Sequence, residues 1–280
     1  MIGVPVKDYN SQNAIFTLCI IGLAERAFFA WQKGSWRSSL ALVLPAIAFF
    51  ANILYASVSR TALVTLPILL LLFAFRRLGW KSAAGLLFAM IMFLAVAWPT
   101  SPPLRARVTE LFDVILDHRP RAIFSPVEQR MEFWRKSLDI ISQAPVFGHG
   151  TGSISQQFDR LAAGHTGMAG LASANPHNQI LATAIQLGLA GAFLLLAMWI
   201  AHLLFFFAPS LPAGIAFAVV VQKVIGSQFN SSLFDFTQGW MYVLGIGVLG
   251  GMVVRDSLNN QKLARAGTHY PVADAATNRC

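Results

Sequence analysis

Charge is scarce in this sequence, and cysteine scarcer still. Asp, Glu, Lys and Arg together make up 12% of the 280 residues, about half the share found in an ordinary soluble domain. The two cysteines, Cys19 inside an apolar run and Cys280 at the terminus, are poor disulfide partners. No Cys/His spacing suggests a metal site. Acidic residues number 12 against 21 Lys and Arg, for a formal net charge of +9, yet no basic stripe with interleaved aromatics appears, which argues against nucleic acid as a partner. The first apolar run lacks a basic n-region and a convincing small-x-small cleavage site, and it carries Glu25 and Arg26 near its end. That pattern excludes a cleaved signal peptide and leaves a retained span.

What the chain has instead is hydrophobic length. Apolar residues are 56% of the total and mean hydropathy is +0.59, and they come in runs close to the ~20 residues needed to cross a bilayer. The runs are 12–31, 38–57, 60–75, 82–99, 178–207, 211–229 and 237–254. The expected fold is therefore all-α, a polytopic membrane helix bundle of about seven spans with a long, partly helical outer loop. Residues 1–99 hold spans one to four, 100–176 the loop, 177–254 spans five to seven, and 255–280 a tail. The third run is short and is expected to borrow residues from Tyr55 onward; the fifth is long enough to tilt or project. From Asn259 the tail is polar and rich in small residues, which predicts a disordered end.

Basic residues in short links encode orientation. Lys33 and Arg37, then Arg76, Arg77 and Lys81, then Arg255, Lys262 and Arg265 all fall on one side of a seven-span chain. That side is predicted to be cytoplasmic, in a bacterial inner membrane, with the 100–176 loop and the 230–236 loop facing the periplasm. The N-terminus then lies outside, directly before span one, which implies missing upstream spans.

The chemistry-bearing residues gather at the outer boundary. Val127, Met131, Trp134, Leu138 and Ile141 recur at helical spacing and predict an amphipathic helix headed by Arg130; Arg130 alone could be a solvated partner of Glu132. The glycine-rich Ala144–Gly152 stretch, written 144–152, reads as a tight turn or a phosphate cradle, without the Gly-Lys-Ser/Thr ending of a nucleotide loop. Asn175-Pro176-His177-Asn178 enters span five, with Asn175 read as N-cap and His177 in the first turn. There the helix dipole would keep His177 neutral, either as a proton acceptor or simply as an interfacial polar residue. Arg60 opens span three; an arginine at bilayer depth costs about 2.5–3.5 kcal/mol and calls for a partner or a role, unless it snorkels to the headgroups. Asp235, before span seven, could orient a histidine or pair with an arginine, but a solvated side chain is the favoured reading.

Taken together these residues resemble the O-antigen ligase and polymerase superfamily. The features are Ser59-Arg60-Thr61-Ala62 at a span start, Arg130 with Trp134 in the outer loop, the 145–152 turn, and His177-Asn178 followed after nine residues by Gly188-Leu189-Ala190-Gly191. The match covers roughly 41–254, with fewer spans before the Ser-Arg motif than typical members have. The resemblance implies transfer of a glycan from a polyprenyl diphosphate donor to a hydroxyl of an acceptor, either a lipid A core sugar, a growing polysaccharide or a protein Ser/Thr. It implies an inverting reaction without metal or cofactor. Arg60 and Arg130 would bind the diphosphate, His177 would be the base, and Asn178 and Asp235 would support it. His149 and His165, also in the loop, compete for the role of base. A transporter or flippase component is the alternative; it would place ionisable groups near mid-membrane, and Lys223 is the clear mid-span charge.

Overall fold

The computed structural model describes residues 8–56, 59–102, 104–106, 108–109 and 124–267. Ser57 and Val58 ahead of Arg60, Pro103 in the loop entry, and Cys280 in the tail lie outside them. The described residues form an all-α bundle: α1 (Tyr9–Gln32), α2 (Trp36–Tyr55), α3 (Arg60–Leu78), α4 (Trp80–Thr100), α5 (Pro126–Gln143), α6 (Ile154–Ala162), α7 (Gln179–Phe205), α8 (Leu211–Gly226) and α9 (Phe236–Gly267). Six of these, α1 to α4, α7 and α9, are long and apolar enough to cross a membrane.

The remaining apolar helix, α8, has only 16 residues. At 1.5 Å per residue it is roughly 24 Å long, short of the ~30 Å hydrocarbon core. It is nonetheless central, packing against α1, α3, α7 and α9. Its buried Ala213, Gly214, Ala216 and Ala218 let the neighbouring backbones approach closely. Around it, Trp199, Phe206, Val220 and Tyr242 form one apolar cluster and Ile21, Leu69 and Val221 another. Because the central helix is short, the bundle is hollowed at one end.

The opposite end is tied shut by the basic residues that read as a topology signal. Arg77 donates from Nε to Glu25 Oε2 at 2.9 Å, and from its terminal nitrogens to the Pro209 and Ser210 carbonyls. Arg76 donates to the carbonyls of Phe206 and Ala208. Two consecutive side chains of α3 thus fasten α1 and the α7–α8 link. Exposed Trp31, Trp36 and Trp80 ring the same end, where amphipathic rings suit a membrane boundary.

Several boundaries differ from expectation. Span three gains its length at the C-terminal end, reaching Leu78, rather than borrowing from Tyr55, where α2 ends. The tail does not become irregular at Asn259: Gln261, Lys262, Leu263, Ala264 and Arg265 are good helix formers and carry α9 on to Gly267. The α5 helix forms as predicted, opened by a reciprocal cap between Ser125 and Glu128 with Pro126 in its first turn. Its buried face differs, however. Phe133 and Ile140 pack with Phe158 and Ile185, whereas Met131 and Leu138 of the predicted stripe are 61% and 60% exposed. Lys136 is buried on the inner face because its ammonium is received by the Ala169 and Leu171 carbonyls.

The glycine-rich turn is a splice, not a phosphate cradle. Helix α7 breaks at Gly188, whose φ of 67° and ψ of −167° suit glycine almost alone. The broken turn leaves carbonyls without helical partners, and the 144–152 segment supplies them: His149 N–H donates to Ile185 O, and Gly150 N–H to Gln186 O, both at 2.9 Å. In return Leu189 N–H donates to Pro145 O at 2.7 Å. A Cβ on Gly148 would collide with the backbone of Gln186 and Gly188, and one on Gly188 with Val146. The His149, Gly150 and Gly152 N–H groups are therefore engaged by α7, the last donating to Gln186 Oε1 at 2.7 Å.

Candidate functional site

A cavity of about 120 Å³ opens over the short end of α8, at the end of the bundle away from the Arg77–Glu25 tie. Helix α1 contributes Asn10, the start of α3 contributes Ser59 and Thr61, α5 contributes Arg130, and the entry to α7 contributes His177. Lys223 and Gln222 come from the last turn of α8. Lys223, three residues from the helix end, lines this cavity and donates from Nζ to the Gln238 carbonyl at 2.8 Å. A cation in the last turn also suits the negative end of the helix dipole.

His177 lies outside the helix that the sequence pattern assigned it to. Asn178, not Asn175, is the N-cap of α7, its side chain accepting from the Ile180 and Leu181 N–H groups. Asn175 instead accepts the His177 N–H at 2.8 Å, a tight turn that throws His177 into a left-handed conformation with φ 55°. That uncommon backbone turns the imidazole towards the 230–236 loop, where Nδ1 lies 3.2 Å from Asn230 Oδ1. Asn175 Nδ2 donates to the same oxygen at 3.2 Å, and Ser231 Oγ donates to Asn175 Oδ1 at 2.7 Å. With Asn230 Oδ1 an acceptor, Nδ1 carries the proton and the lone pair of the neutral ring sits on Nε2.

The electrostatics keep the ring neutral. Burial holds His177 below the ordinary histidine value, and the Arg130 charge pushes it further down, against a smaller opposing effect of the Asn230 bond. The origin is thus desolvation and a neighbouring cation rather than a place in the first turn of a helix. Arg130 is itself lowered, chiefly by burial and then by the Arg60 charge, and an arginine so placed stays protonated at physiological pH. Its expected rival interaction is absent in one respect: Glu132 is bound by Arg135 at 2.7 Å, with Asp139 completing that exposed chain.

The other expected site residues fall in distinct places. Arg60, half-buried at the first position of α3, lies near enough to Arg130 to act on it electrically, while its sequence neighbours Ser59 and Thr61 rather than Arg60 form the cavity wall. Asn178 caps α7 and does not line the cavity. Asp235 accepts the Gln238 N–H at 3.0 Å, capping α9, and lies outside this cavity as well. The position next to the imidazole that a carboxylate could have occupied is filled by Asn230. Of the competing histidines, His149 has Nε2 against the Ile140 carbonyl at 2.9 Å, and His165 is exposed with Nδ1 on Ala163 O; neither lines the cavity.

Asn230 and Lys223 are the contributions that a motif reading misses. Asn230 sits in a short loop with nothing in its spacing to mark it, and Lys223 shows in the sequence only as a charge inside an apolar run.

The arrangement can do specific chemistry. Fixed cations beside a neutral imidazole with a free Nε2 can hold an anionic group and accept a proton from a hydroxyl close to it. A comparison with protein families finds that the model for O-antigen ligase matches residues 40–196, more than half of the chain. No curated protein matches the sequence.

Proposed function

Because this chain belongs to the O-antigen ligase family, we propose that it is a multi-pass enzyme of the bacterial inner membrane that transfers a glycan from a polyprenyl diphosphate to an acceptor hydroxyl at the periplasmic face. The acceptor is a lipid A core sugar or a growing polysaccharide. The observation that carries this reading is the convergence of Arg130, Lys223 and His177 on one cavity at a single end of the bundle.

In the proposed reaction the acceptor oxygen attacks the anomeric carbon of the donor sugar as its proton passes to Nε2 of His177. The bond from that carbon to the diphosphate oxygen breaks, and polyprenyl diphosphate leaves carrying the extra negative charge. A single displacement from the opposite face inverts the anomeric centre. A sugar hydroxyl is a weak nucleophile, so a positioned base contributes typically ~10²–10⁴-fold. Arg130 and Lys223, with Arg60 acting at longer range, stabilise the departing diphosphate where its charge develops. The scissile bond is itself the energy source.

Two features support placing a lipid-linked substrate here. The cavity lies over the end of a helix shorter than the hydrocarbon thickness, so it sits just below headgroup level, within reach of a lipid-linked diphosphate. The positive-inside distribution of Lys33, Arg37, Arg76, Arg77 and Lys81, all at the opposite end of the bundle, supports reading the cavity as facing the non-cytoplasmic side. Lys223 shares its cavity with Arg130 and His177, which favours a part in the same chemistry over the transporter alternative.

The glycan profile of a deletion strain tests the reading. Loss of long-chain lipopolysaccharide with accumulation of lipid-linked polymer is the expected result for a ligase, and accumulation of lipid-linked single repeats for a polymerase. An unchanged profile contradicts both.

A further inference from the structure

Next to the cationic cavity lies a second one, of about 240 Å³, and the two share Asn230. Its wall carries Asn175, Asn230, Ser231, Phe234 and Asp235. Among these Asn230 holds the His177 imidazole, and Asn175 and Ser231 brace Asn230 through the bonds described above. The amide that orients the base therefore forms part of the neighbouring chamber.

The two chambers differ in charge. The first presents Arg130 and Lys223; the second presents neutral amides, a hydroxyl and the Asp235 carboxylate, whose charge also acts on Lys223 across the shared wall. A carboxylate repels a diphosphate, so the second chamber is unsuited to the donor's anionic group. One carboxylate among neutral groups is also too little for a cation cage. What it does suit is a neutral polyol: a carboxylate accepts from several donors at once, as Asp235 already does from the Gln238 N–H, amides both donate and accept, and Phe234, 56% exposed, offers a flat apolar face to the C–H side of a sugar ring. The volume lies below the ~300–1,000 Å³ usual for drug-sized ligands, the scale of a single ring.

We propose that this second chamber is the acceptor subsite, binding the terminal sugar ring of the acceptor glycan through Asp235 and Phe234 and presenting its hydroxyl to His177 across Asn230. The assignment rests on reading the chain as a glycan transferase, and it separates the two substrates: diphosphate on the Arg130–Lys223 side, acceptor sugar on the Asp235–Phe234 side.

The test measures saccharide binding directly, by saturation-transfer NMR on the full chain in nanodiscs. The probes are free core oligosaccharide cleaved from lipid A and, separately, the free repeat-unit saccharide. At least one should bind; binding of core marks a ligase-type acceptor and binding of the repeat a polymerase-type one. Phe234→Ala and Asp235→Asn should each weaken binding about tenfold or more, Phe234→Trp should retain it, and Arg130→Gln should leave it intact while weakening binding of glycan-free polyprenyl diphosphate. Phe234 is exposed and Asp235→Asn keeps a capping oxygen, but it removes a charge acting on the buried Lys223, so an unchanged melting temperature in detergent accompanies each binding measurement. Saccharide binding that survives both Phe234→Ala and Asp235→Asn, or is lost in Arg130→Gln, or is absent from the wild-type chain for both probes, overturns the assignment. Wild-type binding with no transfer from a lipid-linked donor would instead refute the transferase reading and leave the sugar site standing.

Discussion

His177 Nδ1 sits 3.2 Å from Asn230 Oδ1, on a residue held at a φ of 55° by the turn that Asn175 closes. The bond leaves Nε2 as the basic nitrogen and aims the ring without adding a negative charge behind it. A carboxylate in the same place would raise the imidazole's basicity; an amide orients it and leaves its affinity for protons low. Burial and Arg130 act in the same direction.

The first prediction concerns pH. A base must be neutral to accept a proton, so the transfer rate should rise with pH through the His177 value and then level off. Because that value is depressed, the rise should lie on the acid side of ordinary histidine behaviour. Arg130→Gln removes one cause of the depression, so the rise should move towards higher pH as the plateau rate falls. Initial rates between pH 4.5 and 8.5 measure both. The sign for stability is the same: between the folded and the higher unfolded value the unfolded chain binds more protons, so the His177 contribution diminishes as pH falls through that window.

Asn230 can be separated from a merely structural residue by what replaces it. Asn230→Asp keeps an acceptor for Nδ1–H and adds a charge, so the pH profile should shift to higher pH while the plateau stays within about tenfold. Asn230→Leu offers no acceptor and should lower the plateau more than Asn230→Asp does, by a further tenfold or so, since positioning partners of catalytic groups commonly contribute ~10–100-fold. Identical profiles for the two variants would remove the orienting role.

Gly188→Ala tests the splice between α7 and the glycine-rich turn. The alanine would have to adopt a conformation costing about 1–3 kcal/mol and would also meet Val146. A lower melting temperature in detergent is expected, together with lost transfer, since the 179–187 segment that follows His177 is anchored there. Gly148→Ala disturbs the same junction, so the double variant should lose less than the sum of the two. Simple additivity would mean that the turn and the break are independent.

At the other end, Glu25→Ala should destabilise the chain with little direct effect on the site. It leaves Arg77, whose side chain is 7% exposed, without its carboxylate. Breaking a buried pair from one side costs about 3–5 kcal/mol, and the Pro209 and Ser210 carbonyls that Arg77 still engages place the expected loss at the lower end. Thermal unfolding in detergent measures it.

Much of this organisation was legible in the sequence because membrane physics leaves strong marks. Apolar runs near 20 residues located the helices, and the basic links sorted their ends. Arg130 and His177 were legible as motif members. The cause of His177's neutrality was not, since it depends on a turn formed by Asn175, on burial, and on an arginine 47 positions earlier in the chain. The buried face of α5 was misread because the helix carries two apolar stripes, and only the contact with Phe158 and Ile185 decides between Phe133/Ile140 and Met131/Leu138. The end of α8 was misplaced for a similar reason. Its apolar run continues through Phe229, but the helix stops at Gly226, and hydropathy does not record where a backbone turns.

The central claim is that His177 accepts the acceptor's proton. The most direct measurement is the single-turnover rate of glycan transfer by purified His177→Ala, in a membrane mimetic, with a defined lipid-linked donor and a saccharide acceptor. A loss of at least ~10²-fold is expected in a protein that inserts, remains folded and still binds polyprenyl diphosphate. Transfer at the wild-type rate would contradict it.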